Sequence, residues 1–264
     1  MDFQKVKYNL QDGIATIALN NPRALNATDT QMVEELSEAL RIASGEARAI
    51  ILTGEGRAFC AGANLASGET GAAAAAPRGD LDLGAGIETH INPLVTFIRD
   101  LPIPFITAVN GPAAGIGCAF ALLGDISLAA ESAYFIQAFC RVGLVPDGSP
   151  TYLLPRHVGR ARAMEMLLLG GKVSAKQACE WGMINRCVPD AELMSAARDL
   201  AGQLARGPKA LGMIRKLVWQ SLDADFAEQL AHERWMQKDA GQTEDFAEGV
   251  AAFREKRAAK FVGA

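Results

Sequence analysis

The segment VNGPAAGIGCAFALLGD, residues 109–125, joins a turn rich in glycine and proline to a run that carries no charge before Asp125. This order of a short apolar stretch, a glycine turn and a longer apolar stretch predicts a strand that passes directly into a buried helix. The first backbone N–H groups of such a helix have no partner within it, and together they can bind an anion. Glycine lets the backbone turn tightly and lets a ligand approach it. The segment therefore predicts a turn that presents backbone N–H groups.

A second turn of the same form lies in RAFCAGANL, residues 57–65, with Gly62 at its centre. We expect this turn also to lead into a helix, so that the two turns together could form one anion site. The same glycines would equally allow a helix to pack closely on a sheet. The motif alone leaves both interpretations open.

The composition is typical of a single enzyme-sized domain, because half of the 264 residues are hydrophobic and can bury one sizeable core. The net charge of −4 argues against a nucleic acid or an anionic membrane as partner, since both need a dense basic face. The five cysteines form no CxxC pair, which favours free thiols in a reducing compartment. No signal peptide or bilayer-spanning run is recognisable in the sequence. We therefore expect a cytoplasmic protein.

Alternating strand and helix patterns predict an α/β fold with a largely buried sheet. A hairpin is expected around Asp12-Gly13, and a capping box of Thr28 and Gln31 is expected to begin the first helix. The other predicted elements are strands at 49–54, 105–109 and 126–130 and a helix over 86–101.

The last third of the chain changes character, because strand patterns give way to amphipathic helical runs. The sequence thus predicts a core over 1–189 and a C-terminal helical region over 190–264. That region carries Trp219 and Trp235, whose apolar surface needs cover from the core or from another subunit. Within the core, the Gly- and Ala-rich residues 67–80 predict a mobile surface loop.

Five segments have the order and spacing of motifs in a known family. They are NPRALNA (21–27), GRAFCAGANL (56–65), AVNGPAAGIGCAFALLGDI (108–126), GLVPDGSPTYLLPRHVGRARAMEMLLLG (143–170) and AEGVAAFREKR (247–257). Over nearly its whole length the sequence resembles the enoyl-CoA hydratase/isomerase, or crotonase, family. The resemblance implies a spiral of βαβ units with a helical trimerisation region, and trimers that pair into hexamers. It also implies an acyl-CoA thioester as substrate, with coenzyme A entering only as part of it and with no metal and no redox cofactor.

The resemblance gives the two glycine turns a role. In the family, backbone N–H groups at the positions of Ala63 and Ile116 form an oxyanion hole for the thioester carbonyl. Charge that moves onto that oxygen is stabilised only by donors already aimed at it.

Other positions match the substrate-binding positions of the family. They are Arg23, Ala24, Leu25, Ala61, Asn64, Leu65, Gly115, Ala119, Phe139 and Lys256. The resemblance places Arg23, Ala24 and Leu25 along the adenine and phosphate end of coenzyme A. It places Lys256 near the phosphates, often across a subunit boundary, although a basic run such as FREKRAAKF is more commonly a solvated helix face. Asn64 stands where the family usually has an aspartate.

The acid–base groups are where members of the family differ. Two-glutamate hydratases carry their glutamates at the positions of Ala119 and Phe139, and two apolar side chains cannot exchange protons with water. Asp147 stands where isomerases resembling the dienoyl-CoA and ring-epoxide phenylacetyl-CoA isomerases have a catalytic aspartate. A related dehalogenase uses an aspartate there as a nucleophile. The alternative is that Asp147 only caps a turn before the next helix.

The sequence therefore predicts an isomerase that shifts a double bond in an enoyl-CoA, or acts on a ring-opened or epoxide phenylacetyl-CoA, with Asp147 as base. The alternatives are an enoyl-CoA hydratase of another arrangement and a non-catalytic relative that binds CoA or RNA. The loop 66–88 and the segment 87–97 are expected to roof the acyl end and to decide which acyl group is accepted. The histidines His90, His157 and His232 lie too far apart in sequence to suggest a metal site.

Overall fold

The structure, a computed structural model, describes residues 3–64 and 82–264. It opens with strands β1 (Val6–Gln11) and β2 (Ile14–Leu19), which pair antiparallel. Asp12 has a φ of 54° and Gly13 a φ of 74°, and two successive positive values suit the right-handed twist of a two-residue hairpin. The predicted hairpin is confirmed. Residues 67–80, predicted as a loop, lie outside the described residues.

From β2 onward the main sheet is parallel, with β1 at one edge. Its further strands are β3 (Ala49–Gly54), β4 (Phe105–Val109), β6 (Ile126–Ala130) and β9 (Arg186–Val188). A second sheet, in the order β5-β7-β8, consists of β5 (Ala113–Ala114), β7 (Tyr134–Ile136) and β8 (Lys172–Ser174). Strand β4 is buried along its whole length, as its uncharged and mainly apolar sequence predicts for a strand covered on both faces.

Helices pack on the main sheet and also form the C-terminal part of the chain. The helices are α1 (Thr30–Glu46), α2 (Asn92–Arg99), α3 (Ile116–Leu122), α4 (Pro150–Leu169), α5 (Ala175–Glu180), α6 (Leu193–Ala205), α7 (Ala210–Ser221), α8 (Phe226–Ala240) and α9 (Glu244–Glu255). Helix α3, predicted from the glycine turn, is buried at every residue.

Two details of the predicted helices are wrong. The capping box of Thr28 and Gln31 does not form, because Asp29 is the N-cap of α1 and its carboxylate accepts the Met32 N–H at 2.9 Å. The Thr28 backbone instead pairs with Ala63 in a parallel bridge. The helix predicted over 86–101 begins earlier, with a helical turn and a π-helical segment (Ile87–Ile91), and α2 ends at Arg99.

The C-terminal helices are fixed to the core by buried polar groups. Helix α6 packs on β3 and β4 of the main sheet, so part of the region 190–264 belongs to the core, and the boundary at 190 stays a prediction. Asp245 of α9 is 2% exposed, and its carboxylate accepts backbone N–H groups from Lys209, Val262 and Gly263 at 2.7–2.9 Å. Within the described ranges, no helix combines the length and the hydrophobicity needed to cross a bilayer.

Candidate functional site

The two glycine turns lie side by side. Cys60 and Ala113 form a parallel bridge, in which the Ala114 N–H donates to the Cys60 carbonyl at 2.9 Å. Gly62 has a φ of 98° and Gly115 a φ of 51°. Residues that have a Cβ rarely adopt these positive φ values. A Cβ added at Gly62 would lie 3.1 Å from the Ala114 carbonyl oxygen, so the turns approach more closely than larger residues allow.

The predicted oxyanion donors are distinguished from their neighbours by their hydrogen bonds. The N–H groups of Ala61 and Asn64 donate to carbonyls of the preceding loop at 3.0 and 2.9 Å, and the Gly115 N–H donates to β7 at 2.9 Å. Among residues 3–64 and 82–264, by contrast, no acceptor faces the N–H of Ala63 or Ile116. Ile116 is the first residue of α3, where the N–H has no intrahelical partner. The two adjacent turns therefore each keep one backbone N–H that can donate to a ligand.

Asp147 lies in the turn before α4, and its successor Gly148 is packed against α3. A Cβ added at Gly148 would contact the Ile116 side chain, and it would lie 3.3 Å from the Ala119 Cβ and 3.6 Å from the Ile91 Cγ2. This places the turn against the first residues of α3, which include Ile116, the predicted oxyanion donor.

Within the part of the chain that the structure describes, no hydrogen bond holds the Asp147 carboxylate. Its Oδ1 is buried and has no partner among the described residues. Burial raises the pKa of Asp147 above its usual range, because the charged form loses solvation. Ser149, not Asp147, is the N-cap of α4, and its side chain makes no capping hydrogen bond. The structure thus gives no support to the alternative that Asp147 serves as a cap, and it leaves Oδ1 of this carboxylate without a partner among the described residues.

An apolar surface replaces the hydratase carboxylates. Ala119 is fully buried on α3, and two carbons of the Phe139 ring lie 3.5 Å from a Cβ added at Gly115. Neither side chain can hold a water molecule by hydrogen bonds or exchange a proton with it.

The loop of Arg23, Ala24 and Leu25 is held to the second turn by a residue that the sequence analysis missed. Asn26 is fully buried, accepts the Asn21 N–H at 2.8 Å, and donates to the carbonyls of Glu55 and Ala58 at 2.9 and 2.8 Å. Its position inside the motif NPRALNA (21–27) is a sequence signal that could have identified it. The Leu25 carbonyl in turn accepts the Ala61 N–H, so this loop and the Ala63 turn form one unit.

For two of the predicted site residues the structure gives no position at the site: Lys256 lies away from the turns, and Leu65 is not among the described residues. Lys256 is exposed at the end of α9, and no contact among the described residues joins it to the turns. Leu65, and the helix predicted to follow Asn64, lie outside the described residues. In the described part of the chain no three His, Cys, Asp or Glu side chains cluster as metal ligands would.

Comparison with known proteins places this geometry in a family. The model of the enoyl-CoA hydratase/isomerase family matches residues 9–264. A probable enoyl-CoA hydratase of Rhodobacter capsulatus is 43% identical over 264 residues, which cover 100% of both chains. The 1,2-epoxyphenylacetyl-CoA isomerase of Escherichia coli is 43% identical over 258 residues, which cover 97% of both.

Solved structures agree with the sequence matches. The enoyl-CoA hydratase of Bacillus anthracis superimposes with a TM-score of 0.91 at 29% identity, over 99% of this chain and 100% of that one. Because the matches extend over the whole chain and include both glycine turns, the predicted crotonase fold is confirmed, and the chain belongs to the enoyl-CoA hydratase/isomerase family.

Proposed function

We propose that this chain is an acyl-CoA isomerase that moves a double bond within an enoyl-CoA thioester. The observation that supports this most is Asp147, which is half-buried, whose Oδ1 lacks a hydrogen-bond partner among the described residues, and whose neighbour Gly148 packs against α3. The family includes both hydratases and isomerases. Of two relatives that are each 43% identical to this chain, one is named a probable hydratase and the other an isomerase. The choice between isomerase and hydratase therefore rests on the polar groups of the site.

In the proposed mechanism the thioester oxygen accepts hydrogen bonds from the Ala63 and Ile116 N–H groups. These donors stabilise the enolate that forms when a proton leaves the carbon chain. Asp147 takes that proton and returns it two carbons along, so that the double bond moves and the base is regenerated. A raised pKa brings Asp147 closer to the basicity that a weak carbon acid demands.

The apolar surface of Ala119 and Phe139 also favours isomerisation over hydration. A site without groups that orient water disfavours hydration of the conjugated enoyl-CoA product, which is the competing reaction in this family. Coenzyme A takes part only as the carrier of the acyl group in this proposal, and the residues named above supply the acid–base chemistry.

Incubation with two substrates tests the proposal. A 3-enoyl-CoA is expected to be converted to the conjugated 2-enoyl-CoA, with a rise in ultraviolet absorbance and no 3-hydroxyacyl-CoA detected by mass spectrometry. Crotonyl-CoA converted mainly to 3-hydroxybutyryl-CoA would establish the hydratase alternative instead. Binding of both thioesters without conversion, or salt-dependent binding of RNA, would establish the non-catalytic alternative.

We also propose that the chain assembles into homotrimers or paired trimers. Helices α7 and α8 expose large apolar side chains, including Ile214 at 54%, Val218 at 59% and Trp235 at 56%. A contiguous surface of this kind is costly in water and is typical of an interface. Assembly would also give Lys256 a thioester on a neighbouring subunit to bind.

Multi-angle light scattering at micromolar concentration tests the assembly. The mass is expected to be three or six times the 28.0 kDa of one chain. Val218→Glu on α7 should lower this mass, because it introduces a charge into the apolar surface. Leu10→Glu on the edge strand β1 is the control and should leave the mass unchanged. A monomeric wild-type protein would contradict the proposal.

A further inference from the structure

Gln137 holds the peptide group that carries one of the two oxyanion donors. It follows β7 directly and is fully buried, and its Nε2 donates to the Gly115 carbonyl oxygen at 3.3 Å. A carbonyl can only accept, which fixes the orientation of the Gln137 amide. The Gly115 carbonyl and the Ile116 N–H belong to the same peptide group.

This shared peptide couples the two hydrogen bonds. A peptide group is planar and trans, so its C=O and N–H point in opposite directions. A donor fixed on the carbonyl side therefore sets the direction of the N–H on the other side. It also draws electron density toward the oxygen, which makes the N–H a stronger donor, because hydrogen bonds in a chain polarise one another.

The peptide needs such support because Gly115 has few constraints of its own. Its φ of 51° and ψ of −121° lie outside the ranges of helix and strand, and no side chain caps α3 at this end. The Ala119 N–H donates to the same carbonyl at 3.1 Å along the helix axis. Gln137 adds a second donor from the neighbouring sheet, and two donors from different elements restrict rotation of the peptide more than one does.

The cost of this arrangement argues against a purely structural role. The Gln137 amide also contacts the Cys118 thiol, a weak hydrogen-bonding group, but its Oε1 is buried and makes no hydrogen bond among the described residues, which destabilises the folded state. An apolar side chain of the same length would fill the space without that cost. We propose that Gln137 is a positioning residue that orients and polarises the Ile116 N–H toward the thioester oxygen. This inference rests on the proposed function.

Gln137→Met tests the inference, because methionine keeps the length and loses the donor. We expect kcat to fall about tenfold and KM to change less than threefold, since removing a direct oxyanion donor costs about a hundredfold or more and an indirect one less. The red shift of a bound aromatic enoyl-CoA, which reports polarisation of its carbonyl, is expected to shrink. The thermal unfolding midpoint should stay unchanged or rise, because the unpaired Oε1 is gone.

Gln137→Glu supplies a conservative second variant. Its protonated carboxyl can still donate to the Gly115 carbonyl and its ionised form cannot. We therefore expect its kcat, divided by that of wild type at each pH, to be highest at low pH and to fall as pH rises. A ratio that stays well below one at every pH, including low pH where the carboxyl is protonated, would contradict the inference.

Thr107→Val is the matched control. Thr107 is also fully buried and its Oγ1 donates to a carbonyl of α3, that of Ala121, at 2.9 Å, but this carbonyl lies at the other end of the helix. The control should leave kcat and the red shift unchanged. Equal losses in both variants, or none in Gln137→Met, would overturn the inference while wild type remains an active isomerase. A wild type that shows neither red shift nor isomerisation would overturn the proposed function as well, so the two failures are distinguishable.

Discussion

Asp147→Asn is expected to lower the turnover number by about two to four orders of magnitude while the affinity for acyl-CoA changes little. General acid–base catalysis contributes about that much, and asparagine cannot take up the proton. Binding is retained because the oxyanion donors are backbone N–H groups that the substitution leaves in place. Steady-state kinetics and calorimetric titration with an acyl-CoA measure the two effects. With a substrate that carries deuterium at the carbon that is deprotonated, wild type should move this label two carbons along or exchange it with solvent, and the variant should leave it in place.

The pH dependence of the same variant has a definite sign. Burial raises the pKa of Asp147 in the folded state, so between its unfolded and folded pKa the folded chain binds more protons than the unfolded one. Stability therefore falls as pH rises through that window, because the fold then holds an unpaired charge. We expect Asp147→Asn to unfold at a higher temperature than wild type at pH 7, and the gain to disappear at low pH. Wild-type kcat should instead rise with pH through the raised pKa.

Asp100→Asn provides the control with the identical chemical change. Asp100 is exposed, and its hydrogen bond with Arg99 lowers the pKa of its carboxyl. Its ionised form therefore stabilises the fold, and this stabilisation is lost as pH falls, which is the opposite of the behaviour expected for Asp147. Turnover of this variant should match wild type. If Asp147→Asn retained wild-type turnover, Asp147 would be only a turn residue and the base would have to be sought elsewhere.

Arg215→Met is expected to destabilise the fold by about 3 kcal/mol, because it leaves a buried carboxylate without its cation. The Arg215 side chain is 4% exposed, and its Nε donates to Asp125 at 2.7 Å. Its other nitrogens donate to carbonyls at the end of α2, among them that of Leu101 at 2.8 Å. Burial raises the pKa of Asp125, and the Arg215 charge acts against that rise. Denaturant unfolding measured by circular dichroism gives the change in stability.

Two further variants separate the charge from the packing. Adding Asp125→Asn to Arg215→Met should recover part of the loss, because the double variant no longer buries an uncompensated charge and asparagine can still accept the Phe105 N–H. Arg41→Leu, which breaks an exposed ion pair with Glu38, should unfold close to wild type. An Arg215→Met variant as stable as Arg41→Leu would show that α7 is held by apolar packing alone.

Local sequence sufficed for the elements of the core. The period of apolar residues located β3, β4 and β6, and the uncharged run after Gly115 predicted a helix that is buried at every residue. These features depend on the alternation and composition of neighbouring residues, which a sequence displays directly. The family motifs added the apolar residues Ala119 and Phe139 and the single carboxylate Asp147, because their identities can be read without coordinates.

Only the tertiary structure decided which of several plausible partners each polar group has. Thr28 could have capped α1, but pairing with Ala63 uses its backbone, and Asp29 caps the helix instead. Arg215 finds Asp125 at a separation of 90 residues, and Gln137 reaches the Gly115 carbonyl 22 residues before it. A hydrogen bond forms only where donor and acceptor are within about 3 Å and aligned. That condition is set by how distant strands and helices pack, and no local pattern of residues encodes it.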